Sequence, residues 1–544
     1  MNKQHLMSRR QFLKTTLTAS AALLPATSVL AGSASAPARV QSEITIITSG
    51  WPLTPMPTAE EIEADKARAG YAEALQSWMD ENPGVTFQQV EVNIWDQQAI
   101  VTAISGGTAP TYVFPTSIGG WSNAGARNAF IQGLMADVGP AVEKFGLIAK
   151  LTPGALAGWQ PINQIEDGYM SYPIDSGMNV YYFRRDLLAE LGIEEPPMDW
   201  TWDDLMNLAK ALTSEADGRQ GLGALVWVAG STINDNGFDL LSNVPTPQNG
   251  WNWSKDTSDP RWGELLTAYR KLVFEDKAVY SDISYTSENL VNAFANGAIG
   301  MYQENVLGAF GSAAQEGSIA ALAQRLNKPY EEVVGFRGMP RGANGYLSNP
   351  IYVGGVAIGP DTNAETLDKA LSAVDYMFLG AGWDIQKAGQ YAATQDLKAV
   401  FNYPLPIDGK YTYEGVPGAF EDAWGQRTKD DILYYAGLPK APDEALYMPL
   451  EQNPGPDGQA FEDAWSTISY VADSVDPVAV LNQAQDTWNS QAAGFSSSVD
   501  DAAFIAGAKA YYEALDAFWK DASPEFYEST FKPWYDSKVL PALG

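Results

Sequence analysis

A chain of 544 residues, 45% of them hydrophobic, is too long for one core, so two or more domains are expected. A formal net charge of −32 repels phosphate backbones and sets nucleic acid aside as a partner. There is no cysteine and the one histidine is His5, which removes disulfides, Ser-His-Asp and Cys-His nucleophiles, and the usual zinc, copper and non-haem iron sites. Among extracellular enzyme chemistries this leaves chiefly the carboxylate pair of glycoside hydrolysis, and no cofactor is expected.

The chain opens with Arg9 and Arg10, then Phe12, Leu13 and Lys14, then a mild apolar run to Leu30 broken by Pro25. A basic segment, a short apolar segment and Ala34-Ser35-Ala36 are the parts of a cleavable export signal, too short and mild to span a bilayer. The order S-R-R-x-F-L-K resembles the twin-arginine signal, which would make residues 1–36 a leader read by the twin-arginine export machinery. Its removal takes four positive charges and leaves −36. The expected location is the periplasm or the outer face of the cytoplasmic membrane.

Ile44 to Thr48 reads as a strand closed by Ser49-Gly50. From Thr58 a helix starts on a capping box with Glu61, repeats Tyr71, Leu75, Trp78 and Met79 at helical spacing, and stops at Asn82-Pro83-Gly84. Val85 to Val92 reads as a strand, a short helix carries Ala99, Ile100, Ala103 and Ile104, and Thr111 to Phe114 is a further strand. This alternation predicts βαβ units and a parallel sheet. Val180 to Phe183 is another strand. Thr201 and Asp204 form a second capping box, with Trp200 and Leu205 at the positions of a hydrophobic staple. A helix with Leu290, Val291 and Phe294 inward stops at Asn296-Gly297 and leads into a strand. Another carries Leu367, Leu371, Val374 and Phe378 on its buried stripe. Residues 401–458, rich in Tyr, Pro, Gly and Asp, read as long loops. Residues 500–535 read as helical and then loop-like.

Five stretches, in order, resemble the extracellular solute-binding proteins of ABC importers, specifically the sugar and oligosaccharide group (family 1, maltose-binding-protein-like). They are "ENPGVTFQQVEV", "AISGGTAPTYVF", "YPIDSGMNVYYFRRDLLAELGIEEPPMDWTWDDLMNLAKAL", "SENLVNAFANGAIGMYQEN" and "SVDPVAVLNQAQDTWNS". Thr111 stands where the family usually has an acid, and Phe183-Arg184 where it usually has Asn-Lys. The resemblance implies an α/β, two-lobed periplasmic-binding-protein fold with interlobe crossover strands and a ligand cleft. Lobe 1 would comprise 37–175 and 355–400, lobe 2 would comprise 176–354 and 445–544, and 401–444 would be an insertion or loop region. The hinge would lie near 175–180 and 350–355.

Sugar binding wants flat aromatic faces and polar groups that hydrogen-bond hydroxyls. Trp51 follows the first strand, and Thr116, Ser117 and Trp121 follow the third, where open α/β sheets place ligands. Asp175 lies at the first crossover and Tyr352 at the second, beside Gly354 and Gly355. Trp227 lies in the apolar strand-like run "GALVWVAG", Trp253 sits with Trp251 about Asn252, and Gln303 and Glu304 follow the strand "AIGMY". Trp465 resembles a helical aromatic that faces the family's cleft. "DTSDP" and "NPGPDG" read as turns rather than metal sites. The expectation is a monomeric, non-enzymatic receptor that captures a carbohydrate, an oligosaccharide in the first instance, and delivers it to ABC permease subunits. Two alternatives stay open: a carboxylate-pair glycosidase, and an ABC receptor for a polyamine or glycerol phosphate.

Overall fold

Ile44–Thr48 forms the first strand, β1, alternating buried and exposed positions as a half-buried strand does. The computed structural model describes residues 44–49, 53–92, 112–116, 129–223, 244–252, 257–280, 287–305, 319–340, 351–397, 422–436, 459–496 and 501–544, short breaks within them aside. The leader expected over 1–36 and most of the short helix at 99–104 lie outside them.

The strands are β1, β2 (Val85–Gln89), β3 (Tyr112–Thr116), β4 (Gln164–Ile165), β5 (Gly168–Tyr169), β6 (Tyr172–Arg184), β7 (Gln220–Gly223), β8 (Ile299–Asn305), β9 (Val334–Arg337) and β10 (Ile351–Ile358). β2 and β3 both run parallel to β1, as the βαβ reading requires. β10 then pairs antiparallel with β3 on one side and with β6 on the other. β4 and β5 form a separate small hairpin.

β6 organises the molecule. Its 13 residues span about 40 Å, more than one sheet edge needs. Tyr172 to Met178 pair with β10, while Asn179 to Phe183 pair with β8 and Tyr181 to Arg184 with β9. One strand therefore belongs to two sheets: β2-β1-β3-β10-β6 on its amino half and β9-β6-β8-β7 on its carboxyl half.

Helices cover each sheet. Beside the first, Arg68–Glu81 and Ala364–Leu379 are tied by Trp78 Nε1 to Ser372 Oγ at 3.3 Å, Tyr376 Oη to Ser77 Oγ at 3.1 Å and Lys369 Nζ to Asn82 Oδ1 at 2.7 Å. Ala381–Leu397 crosses Arg68–Glu81 so closely that a Cβ on Gly389 would lie 2.4 Å from the Gly70 Cα. Beside the second sheet, Trp202–Leu212 starts on the Thr201–Asp204 capping box, both reciprocal hydrogen bonds present, and Trp200 and Leu205 are buried. Pro260–Phe274 packs with Gln459–Tyr470 and Pro477–Ser496 in one apolar cluster that includes Trp262, Leu266, Trp465, Ile468 and Leu481.

Two expectations are corrected. Within the 401–458 region read as long loops, Gln426–Ala436 is a helix. Its six leading polar residues hide a narrow stripe, of which Ile432 and Tyr435 are buried against β9 and its flanks. The chain after Pro524 is not loop-like but helical to Leu543, with π-helical turns at Tyr527–Phe531 and Tyr535–Val539. Pro533 and Pro541 each follow such a turn by two residues; lacking an N–H, they cannot extend the ordinary ladder. The helices from Asp501 onward bury their own cluster of Phe504, Tyr512, Trp519, Phe531 and Trp534.

Candidate functional site

The sequence places most of its polar and aromatic candidates at strand ends, and the register shows where those ends meet. β10 sets Gly355 opposite Thr116 of β3, and sets Gly354 opposite Asp175 and Tyr352 opposite Gly177 of β6. On the other half of β6, Asn179 faces Asn305 and Val180 faces Glu304 of β8. The backbones of Thr116, Asp175, Tyr352 and Glu304 thus converge on the seam where β6 passes from one sheet to the other. Thr116 and Asp175 are separated only by β10, about 10 Å in the sheet direction.

The ladder is irregular at the same place. The β10–β6 register shifts between Gly354 and Gly355, so Gly355 faces Pro173 while Gly354 faces Asp175. A bulge of this kind bends and twists a strand locally, and glycine accepts it at little steric cost.

The carboxyl ends of the parallel strands point to this seam from both sheets. β3 ends at Thr116, and β8 ends at Asn305 beside Asn179. β7 runs parallel to β8 and ends at Gly223 beside Tyr302. Asn179 was not among the sequence candidates; the pairing with Asn305 singles it out, and nothing local in the sequence announces a partner so distant.

Glu304 is half-buried at the end of β8, next to the fully buried Tyr302. Burial pushes the Tyr302 phenol well above its ordinary range, and the Glu304 carboxylate pushes it further. Tyr302 Oη has no hydrogen-bond partner among the described residues, although its ring stacks on Tyr182 at 5.5 Å.

Two candidates fall elsewhere. Gln303 is 2% exposed and its Nε2 donates to Met339 Sδ at 3.5 Å, on the side of the apolar cluster beneath the second sheet. Trp465, expected to face ligand, is 4% exposed in that same cluster. Both are buried: Gln459–Tyr470 turns Ala464, Trp465 and Ile468 inward, and β8 directs Met301 into the same cluster as Met339. Trp51, Ser117, Trp121, Trp227 and Trp253 lie outside the described residues, as do the side chains of Thr116, Asp175 and Tyr352.

The carboxyl end of β6 is locked by charge. Arg184 makes a two-point contact with Asp186, 2.7 and 2.6 Å, and donates to the Phe294 carbonyl at 3.1 Å. Arg185 reaches Glu195 at 3.1 Å, Asp431 at 2.9 Å and the Glu331 and Val334 carbonyls. Arg337 of β9 also meets Asp431, at 3.3 Å, and Glu195, at 3.4 Å. Phe183 lies beside both guanidiniums, 5.9 Å from Arg185 and 5.4 Å from Arg337. Burial pushes the Asp431 carboxyl up, and the guanidiniums of Arg337 and Arg185 offset this only in part. The departure of Phe183-Arg184 from the usual Asn-Lys pair thus has a structural account: these residues anchor the second sheet. The ion cluster also anchors the Gln426–Ala436 helix to it.

Among the described residues no group of three or more acidic, histidine or cysteine side chains is arranged to hold a metal ion. No helix among them is long and apolar enough to cross a membrane.

The sequence profile of the bacterial extracellular solute-binding proteins matches residues 59–382, more than half of the chain. A stretch of 225 residues is 27% identical to YcjN of Escherichia coli (strain K12), which carries the name of an ABC transporter periplasmic-binding protein. That match covers 40% of this chain and spans about half, 49%, of the relative. Among solved structures, the ABC substrate-binding protein Lmo0181 of Listeria monocytogenes, in complex with cycloalternan, aligns at TM-score 0.54 and 15% identity, over 82% of this chain and 98% of its own. Maltose-bound MalE3 of T. maritima aligns at TM-score 0.53 and 14% identity, over 84% and 100%.

Proposed function

Because the chain belongs to the bacterial extracellular solute-binding protein family and has its two-lobed α/β fold, we propose that it is an exported receptor that captures a carbohydrate and hands it to an ABC permease. One observation carries this reading. The register brings Thr116, Asp175, Tyr352 and Glu304 from four strands to a single seam, at the carboxyl ends of β3 and β8, along β6, which belongs to both sheets, and along its partner β10. Open α/β sheets bind ligands at such carboxyl ends, and crossing strands supply the hinge on which two lobes close. Similar folds hold cycloalternan in one case and maltose in the other, which supports a sugar over an anion or a polyamine.

The site acts by binding alone. Its carboxylates accept hydrogen bonds from hydroxyls, which requires neither a raised pKa nor the roughly 5–9.5 Å carboxyl separation of a glycosidase. The pair Arg9-Arg10 routes the chain through the twin-arginine machinery, and the receptor works as a monomer outside the cytoplasm. Export of an Arg9→Lys, Arg10→Lys variant at the wild-type level would sink the routing while leaving the receptor reading intact.

The deciding experiment is a thermal-shift screen of the chain beginning at Pro37 against mono- and oligosaccharides, glycerol phosphate and polyamines. A ligand that binds only the folded chain at a hundredfold excess over Kd adds about 2.7 kcal/mol. Stabilisation by one or more sugars is expected. Stabilisation by a polyamine or glycerol phosphate and by no sugar would transfer the receptor reading to that ligand.

A further inference from the structure

The helices after Asp501 lie beyond the matched family region, and they do not close on themselves alone. Among the described residues, their apolar cluster takes in one from elsewhere, Val244, 2% exposed among Phe504, Tyr511, Tyr512, Trp519, Phe531 and Trp534. Val244 belongs to the segment 224–259, which connects β7 to the Pro260–Phe274 helix.

The topology fixes the end of the second sheet at which the chain leaves β7 and from which the Pro260–Phe274 helix starts. β7 runs parallel to β8, so Gly223 lies at the same end as Asn305, and Asn305 pairs with Asn179 at the seam. After the Pro260–Phe274 helix, Val279 returns beside Leu222 in parallel sense. The helix therefore runs back against β7, and its amino end sits at the carboxyl end of β7. The connection leaves and rejoins the fold at the ligand-facing end of the second lobe.

The described part of this connection is a firm turn. Thr246, fully buried, caps Pro247–Asn249 with reciprocal hydrogen bonds, and Asn249 Nδ2 donates to the Val244 carbonyl at 2.8 Å. Farther along, Thr257 Oγ1 donates to Asn482 Oδ1 at 2.5 Å and Asn489 Nδ2 to Asn252 Oδ1 at 3.5 Å, both on the Pro477–Ser496 helix. The turn is held from one side by that helix and from the other by the tail.

We propose that the Asp501–Leu543 helices are a brace, with Val244 as the positioning residue through which they fix the 244–250 turn at the rim of the ligand site and thereby set its affinity. This deepens the carbohydrate reading and rests on it for the nature of the ligand. The cost of leaving the turn unbraced would fall on binding, because a rim that must be ordered as ligand arrives lowers affinity.

The test compares wild type, Val244→Asp and Val244→Ile in the chain from Pro37 to Gly544. A carboxylate at position 244 cannot share the tail's cluster, whereas isoleucine can. Hydrogen exchange should rise at least tenfold at the amides of Asn249 and Gly250 in Val244→Asp and stay at the wild-type level in Val244→Ile. Exchange in β1 and β8 should not move. In calorimetry with maltotetraose and chitotetraose as probes, Val244→Asp should weaken whichever sugar wild type binds by at least fivefold, and Val244→Ile should restore it. Unchanged exchange at the turn, or unchanged affinity despite faster exchange, would overturn the brace. If wild type binds neither probe, the exchange arm still decides the brace mechanically, and only the carbohydrate reading is weakened. If Val244→Asp fails to fold, Tyr512→Ala replaces it with the same expectations.

Discussion

Gly354 of β10 faces Asp175 of β6, the strand shared by both sheets, and the next residue, Gly355, has already slipped to Pro173. The bulge lies inside the connection on which the lobes would move, in a stretch of β10 that also holds Gly355 against Thr116. Closure about this connection should reduce the radius of gyration when a stabilising sugar is added, as read by small-angle scattering. A Gly354→Val, Gly355→Val variant should show less compaction and weaker binding. Binding without compaction would count against the hinge.

Glu304, opposite Val180 of β6, is half-buried at the end of β8. Glu304→Ala and Asp175→Ala should each weaken sugar binding by about 1–3 kcal/mol, the cost of leaving a buried polar partner unmatched. The bound oligosaccharide should be recovered intact after long incubation with wild type. Turnover that survives repurification and vanishes with one carboxylate substitution would replace the receptor by a glycosidase.

Trp465 offers the opposite outcome. Packed with Trp262 and Ile468, it should cost stability when truncated, about 3–5 kcal/mol for Trp465→Ala in urea unfolding. Sugar affinity of the fraction that remains folded should be within twofold of wild type.

Gly389 tests the helix crossing. In an open helix, glycine to alanine stabilises by about 1 kcal/mol. Here the new methyl would lie 2.4 Å from the Gly70 Cα, backbone that cannot step aside. Overpacking costs about 1–3 kcal/mol and wins, so Gly389→Ala should lower the urea midpoint.

The ion cluster at the end of β6 should be intolerant of half-removal. Arg185→Met leaves Asp431 and Glu195 short of a buried partner, a loss of about 3–5 kcal/mol. Replacing exposed Lys66, paired with Glu63, should change stability by less than about 1 kcal/mol.

The sequence by itself determined the parts whose causes are local. β1, the Thr58–Glu61 and Thr201–Asp204 caps, the Asn296-Gly297 stop with Gly297 at φ 82° and the buried stripe of Ala364–Leu379 all follow from neighbours a few residues apart. The ordered motifs carried the family and, with it, the two lobes. Tertiary structure decided what depends on partners far along the chain. The Gln426–Ala436 helix was not legible because its buried face is completed by Arg185 and Arg337, about 250 and 90 residues earlier, whose charges neutralise Asp431. Trp465 and Gln303 could not be sorted from ligand contacts because an aromatic or amide at a strand end or helix face suits either role. In the structure Trp465 packs with Trp262 and Gln303 donates to Met339, and burial is a property of the assembled fold. The seam itself, Thr116 to Gly355 and Asp175 to Gly354, exists only once β10 has inserted between β3 and β6, a pairing that hydrogen-bond register sets and no local pattern encodes.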